Sequence, residues 1–245
     1  MHCKHLGADQ YTFGSVLYLL VYFIMGGTQQ DNLDKIWKHI QEYYSSHKHL
    51  TRYTAMKLTM FKKPKDEGPK LRGKAAQVKS FCEPCLSAWL KFSGATNASG
   101  GTADAMLCNI TTLLRANCKI EQLMSNNKFK YAFSKDDATT LKQAMFSMLQ
   151  LQTTVAHHYA TVEKIKVFTV TTKSHFLAHL ALQAHVINPA VCWCYKGEDF
   201  MQCMRTLTEN CIRGNSVTTV SHKIASHYRL ALHFEALRIV QYTDY

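Results

Sequence analysis

The stretch that most constrains the fold is residues 13–25, FGSVLYLLVYFIM, 13 residues without a charge. A helix that crosses a bilayer needs roughly 20 apolar residues, so this run is too short to span a membrane. Asp9 stands just ahead of it and no small-residue cleavage pattern follows, which argues against a secretory leader. The run is therefore expected to be a helix buried in a protein core, closed by Gly26-Gly27 as a C-terminal stop.

A core of that kind needs enough chain around it. With 245 residues, the protein can bury one as a single large domain or as two small ones. Apolar residues make up 47% of the sequence, which excludes a disordered chain. The nine cysteines are an odd number, and Cys108, Cys118, Cys203 and Cys211 fall within apolar helical patterns. Reduced, buried thiols look like this, so a disulfide framework is not expected and the expected compartment is nuclear or cytoplasmic. The formal net charge of +12 favours a polyanionic partner, nucleic acid ahead of an anionic membrane surface.

Along the chain, helical periodicity dominates. At the start, His2, Cys3 and His5 are metal-ligand types on a terminus expected to be too mobile to hold an ion. After the glycine pair, Asp31 or Asn32 is placed to cap a helix whose Leu33, Ile36, Trp37, Ile40 and Tyr44 form one apolar stripe. A short helix is expected over residues 51–61.

Residues 62–79, KKPKDEGPKLRGKAAQVK, change texture. Pro64, Gly68 and Pro69 break helix, and Lys62, Lys63, Lys65, Lys70, Arg72, Lys74 and Lys79 outnumber Asp66 and Glu67. This reads as an exposed basic loop leading into a helix. It is either a phosphate-backbone contact or a solvated linker. Cys82 and Cys85 form a CxxC without a second one to complete a zinc site, and on a helix they share a face with Phe81, Leu86 and Trp89. Packing is the expected role of that face and zinc is not expected.

Residues 92–102 form a small, polar loop. Two long helices follow, the first carrying Met106, Ile110, Leu113, Leu114 and Ile120, the second Leu141, Met145, Met148, Leu149, Leu151 and Val155. Residues 126–134 connect them, and Asp136 or Asp137 is the expected cap of the second. The segment VFTVTT, residues 167–172, is short, β-branched and alternating, and is the one strand expected. A helix with His175 and His179 then stops before Asn188-Pro189. Beyond CWCY at 192–195, Gly197 allows a turn. Glu198 then enters a helix with Phe200, Met201, Met204 and Leu207 on its apolar face and Arg205 and Arg213 elsewhere. Taken alone, Glu198 is a first-turn carboxylate favoured by the helix dipole.

The order of these last features resembles the C-terminal part of CACTA-like (En/Spm) cut-and-paste DNA transposases. His175-x3-His179-Leu180 is followed by Asn188-Pro189, then by WCYKGEDFMQCMR from Trp193 to Arg205. The opening MHCKHLG is similar to that family's M-H-x3-L-G, which follows the second catalytic aspartate. The resemblance implies that Glu198 is the third acidic residue of an RNase H-like DDE triad and a relic ligand for Mg²⁺ or Mn²⁺. It also implies that both aspartates precede Met1, so no cofactor is expected for this chain alone, because two-metal phosphoryl transfer needs several converging carboxylates.

The expected architecture is mainly α and multi-helical, with a short strand from a truncated RNase H-like sheet. Residues 1–166 are expected to form a helical, insertion-like region, and residues 167–245 the RNase H-like remnant bearing the acidic helix. The expected function is that of a fragment or degenerate derivative of a transposase, binding DNA through the basic loop with Lys173, Arg205 and Arg213, and catalytically silent alone. Homo-oligomers are compatible with this, and membranes are not expected partners. Two alternatives are a basic all-α nucleic-acid-binding protein without catalytic ancestry, and a helical protein-interaction scaffold.

Overall fold

The computed structural model describes residues 3–47, 51–61, 68–94, 102–190, 195–212, 214 and 216–243, without the side chains of 102–104, 195–203, 217 and 234–243. These residues are mainly helical and contain no strand. They fall into two units, Met1–Trp193 and Cys194–Tyr245.

The apolar run is the centre of the first unit. Helix α1 (Asp9–Leu19) is flanked by wider π-helical turns at Lys4–Ala8 and Leu20–Ile24. Phe13, Val16, Leu17, Leu19, Leu20 and Val21 are all buried. Gln10, Thr12, Gly14 and Ser15 are buried too, so this helix is covered all round instead of along one stripe. Each large apolar side chain removed from water here contributes about 1.5–3 kcal/mol.

The other helices surround it. Helix α2 (Gln29–Ser46) buries Leu33, Ile36, Ile40 and Tyr44, and leaves Trp37 partly exposed at the edge of the stripe. Its cap is Thr28, not Asp31 or Asn32. Thr28 has the extended backbone that an N-cap requires, and its Oγ1 accepts from the Asp31 N–H at 3.2 Å. Asn32 lies one turn further in and is buried, donating to the Val21 and Met25 carbonyls that end the central helix. The helix expected over 51–61 reduces to one 3₁₀ turn, Leu58–Met60.

The basic stretch is a packed segment in its described part. Gly68, Pro69 and Leu71 are buried, and the Leu71 N–H donates to the Gln10 carbonyl at 2.8 Å. A Cβ on Gly14 would lie 2.6 Å from Leu71 N and 2.8 Å from Lys70 Cα, so only glycine lets this backbone rest on the helix. Helices α3 (Ala75–Ser80) and α4 (Cys82–Phe92) follow. Trp89 is wholly buried and its Nε1 donates to Thr111 Oγ1 at 2.9 Å, joining α4 to α5 (Thr102–Asn126).

Helix α6 (Lys135–Thr161) packs along α5 and is capped by Ser134, whose Oγ accepts from the Asp137 N–H. The strand expected at 167–172 does not form. Phe168 has φ 53°, in the left-handed region, which interrupts an extended run. Its N–H donates to Ser15 Oγ at 2.7 Å, and Gln152 Nε2 donates to the carbonyls of Phe168 and Thr169. The backbone groups that a sheet would pair are taken by side chains from two helices, and Val167 and Phe168 are buried in the core. Helix α7 (Thr172–Gln183) completes this unit. The second unit pairs α8 (Tyr195–Ile212) with α9 (Val217–Thr243); Cys211 Sγ lies 3.5 Å from His227 Nδ1 between them.

Candidate functional site

Of the ionisable groups that the fold brings together, the sequence singles out only His5 as a ligand type, and that as part of a mobile terminus; His5 is instead fully buried in the turn Lys4–Ala8. Lys4, His5 and Asp9 stand at the start of the central helix and are buried. Asn117 and Glu121, one turn apart on α5, face them. Lys4 Nζ donates to Asp9 Oδ2 at 2.8 Å, to Asn117 Oδ1 at 2.6 Å and to Glu121 Oε1 at 2.5 Å. An ammonium has three N–H bonds, and each has an acceptor. Asn117 Nδ2 donates to Asp9 Oδ1 at 2.8 Å, and His5 Nε2 lies 2.8 Å from Glu121 Oε1.

The electrostatics follow from burial against pairing. Burial by itself would strip Lys4 of its proton, but Asp9 and Glu121 outweigh it and hold the ammonium more firmly than in an ordinary lysine. Burial alone would likewise raise Glu121. The Lys4 ammonium and then His5 overcome that and keep its carboxyl well below the usual range. A lysine held this way is no base or nucleophile. It is a fixed positive charge that joins two helices 113 residues apart in sequence.

His5, Asp9 and Glu121 also place one ligand atom each within 4.8 Å of the others, the one such group among the described residues. They do not fit Mg²⁺ or Mn²⁺ as they stand. The oxygens that an ion would need already accept from Lys4, and the ammonium charge sits among them. Glu121 Oε2 is buried without a hydrogen-bond partner, a single oxygen and not a ligand set.

The residues expected to act are dispersed. Glu198 lies in the first turn of α8, with its side chain outside the described residues, as are Lys62, Lys63, Lys65 and Arg213. Lys70 is half-buried, its Nζ 5.3 Å from the centre of the Tyr11 ring. Arg72 and Lys74 are exposed. Lys79 is half-buried and has its pKa lowered, chiefly by burial, with Lys4 and Lys128 adding like-charge repulsion and Glu121 opposing it. Lys173 Nζ donates to the Leu6 carbonyl at 2.8 Å, so its charge reinforces the N-terminal turn. Arg205 forms an exposed pair with Glu209 at 2.7 Å. Cys82 and Cys85 are buried and burial pushes both thiols up; Cys82 Sγ lies 3.1 Å from Cys118 Sγ. His175 and His179 are exposed and touch each other on α7, Nε2 to Nε2 at 2.9 Å.

A signal for the buried cluster exists in the sequence. Asn117 and Glu121 fall on the same stripe as Ile110, Leu113, Leu114, Ile120 and Met124, where an apolar residue is expected. Compared with family models, curated proteins and solved structures, the chain matches none.

Proposed function

We propose that this chain binds DNA as a helical module of transposase descent and does not cut DNA by itself. The observation that carries the reading is charge. The formal net charge is +12, and Arg72 and Lys74 stand exposed on a segment whose backbone is fixed against the central helix. A fixed basic segment neutralises phosphates without first having to be ordered. The descent rests on the order of motifs from His175 to Arg205 and on the opening MHCKHLG. In that reading Glu198, among the acidic residues of α8, is the one that would have shared a divalent ion; the ion would stabilise charge on the phosphodiester. The inactivity of these residues alone rests on Asp9 and Glu121, the buried carboxylates of the described core, which are neutralised by Lys4.

The test is binding of a short duplex DNA over a salt series. Wild type is expected to show log K falling linearly with log salt. The variant Arg72→Ala with Lys74→Ala is expected to lose up to about 1.8 of that slope, roughly 0.9 for each phosphate released. An unchanged slope would remove this segment from the interface. Cleavage of DNA with Mg²⁺ or Mn²⁺ by the purified chain would overturn the claim of inactivity.

A further inference from the structure

The turn between α5 and α6 carries Lys128, Phe129, Lys130 and Tyr131, basic and aromatic residues in strict alternation. All four are exposed, Phe129 by 90% and Tyr131 by 72%, although both rings would contribute most to stability if buried. Lys128 Nζ stands 4.6 Å from the centre of the Phe129 ring, so charge and ring face lie side by side.

A flexible loop could expose aromatic rings by default, but this loop is held. Asn188, fully buried, donates through Nδ2 to the carbonyls of Asn127 and Lys130, each at 2.7 Å, and its own N–H donates to the Tyr131 carbonyl at 2.7 Å. The Phe133 N–H donates to the Ala184 carbonyl at 3.1 Å, so the turn after α7 braces the turn before α6. Asn127 Nδ2 reaches both the Leu123 carbonyl and Asp137. The carbonyls of Asn127, Lys130 and Tyr131 are thus anchored by buried Asn188, while both rings stand exposed. Lys128 and Lys130 both stand exposed beside the two rings.

We infer that Phe129 and Tyr131 form a stacking platform for the bases of single-stranded nucleic acid, with Lys128 and Lys130 on its phosphates. Rings on a pinned backbone offer π-faces to any base, and lysines between them follow a backbone charged at every residue. Duplex DNA hides its base faces and gains nothing from the rings. The inference rests on the nucleic-acid reading above and adds which form of the polymer this surface selects.

The experiment is fluorescence anisotropy of the full chain with a labelled dT oligomer of about twelve nucleotides and with a duplex of the same length. Wild type is expected to favour the single strand. Phe129→Ala with Tyr131→Ala is expected to weaken single-strand binding by roughly tenfold or more while duplex binding changes less than about twofold, since only the unpaired bases stack on the rings. Phe129→Tyr with Tyr131→Phe keeps both rings and is expected to bind as wild type, which separates stacking from a folding defect. If wild type prefers the single strand but the alanine pair binds it equally well, the platform is overturned and the DNA reading stands. If wild type binds neither polymer, both fall. If the alanine pair leaves binding intact and instead dissociates an oligomer in sedimentation, the surface joins copies of this chain and the inference is likewise overturned.

Discussion

Lys4 Nζ lies 2.8 Å from Asp9 Oδ2, and the two side chains are 0% and 1% exposed. An ion pair at that depth is a liability unless every proton and lone pair is matched. Here Asn117 and Glu121 accept the remaining ammonium protons, leaving Glu121 Oε2 as the one unmatched oxygen of the two carboxylates, and the ammonium becomes a keystone between the turn Lys4–Ala8 and α5.

Removing the cation alone should be far worse than removing the charges together. Lys4→Met leaves two carboxylates with only His5 beside them, and is expected to cost about 3–5 kcal/mol in urea unfolding. Adding Asp9→Asn and Glu121→Gln to the same protein should recover a large part of that loss. Equal destabilisation of the single and triple variants would show that these charges are not coupled.

Acid should loosen the same clamp. The folded-state pKa of Glu121 lies below the unfolded value of about 4.3. Its stabilisation is therefore complete above that value and is lost as pH falls toward the folded pKa, because the unfolded chain takes up the proton first. Lys4 is shifted upward, so its contribution is intact below about pH 10.4 and does not shape the acid limb. Glu121→Gln is expected to lower stability at neutral pH and to flatten its decline between about pH 5 and pH 3, read from urea midpoints. An unchanged acid limb would place the titrating group elsewhere.

Gly14 should invert the usual glycine rule. In a helix interior, Gly→Ala normally stabilises by about 1 kcal/mol. Here the new methyl would meet backbone atoms of Lys70 and Leu71 at 2.6–2.8 Å and push out the segment held by the Leu71-to-Gln10 hydrogen bond. Gly14→Ala is expected to destabilise by about 1–3 kcal/mol. Gly26→Ala, whose methyl would meet nothing within 4 Å, serves as the comparison.

Thiol reactivity should report burial. Cys108 is exposed, whereas Cys82 and Cys85 are buried with thiols pushed up by burial. Among these three, a maleimide is expected to label Cys108 first and the other two only on unfolding, as read by mass spectrometry of the peptides. Fast labelling of Cys85 in the native protein would contradict the packing of α4.

Periodicity made the helices legible because one-sided burial writes itself into spacing. The stripe from Leu33 to Tyr44 reappears as a buried surface, and so does the charge-free run from Phe13 to Val21 apart from half-buried Tyr18, while its end is half-buried and Phe23 is exposed. Caps were displaced by a few residues, because Thr28 and Ser134 compete with nearby aspartates and only backbone angles decide between them. Residues 167–172 carry strand composition, but a strand needs a partner, and Ser15 and Gln152 reach those backbone groups first. The buried cluster was hidden for a related reason. Lys4 and Asn117 are linked only through the tertiary fold, and a lysine near a terminus reads as solvated until the helix opposite it is in place. The pinning of residues 127–131 by Asn188 is equally long-range, so a stretch that reads as a connector becomes a rigid display.

The union of Lys4 with Glu121 also sets a timetable. A ribosome adds about 5–20 residues per second, so Lys4 is made roughly 6–23 s before Glu121. Ser15 waits longer, for the Phe168 N–H. Through that interval α2 and α4 can already cover the apolar run, but Lys4 has only Asp9 of its two carboxylate partners. The ion network therefore closes late, after the apolar run and the helices α2 and α4 that pack on it have been made.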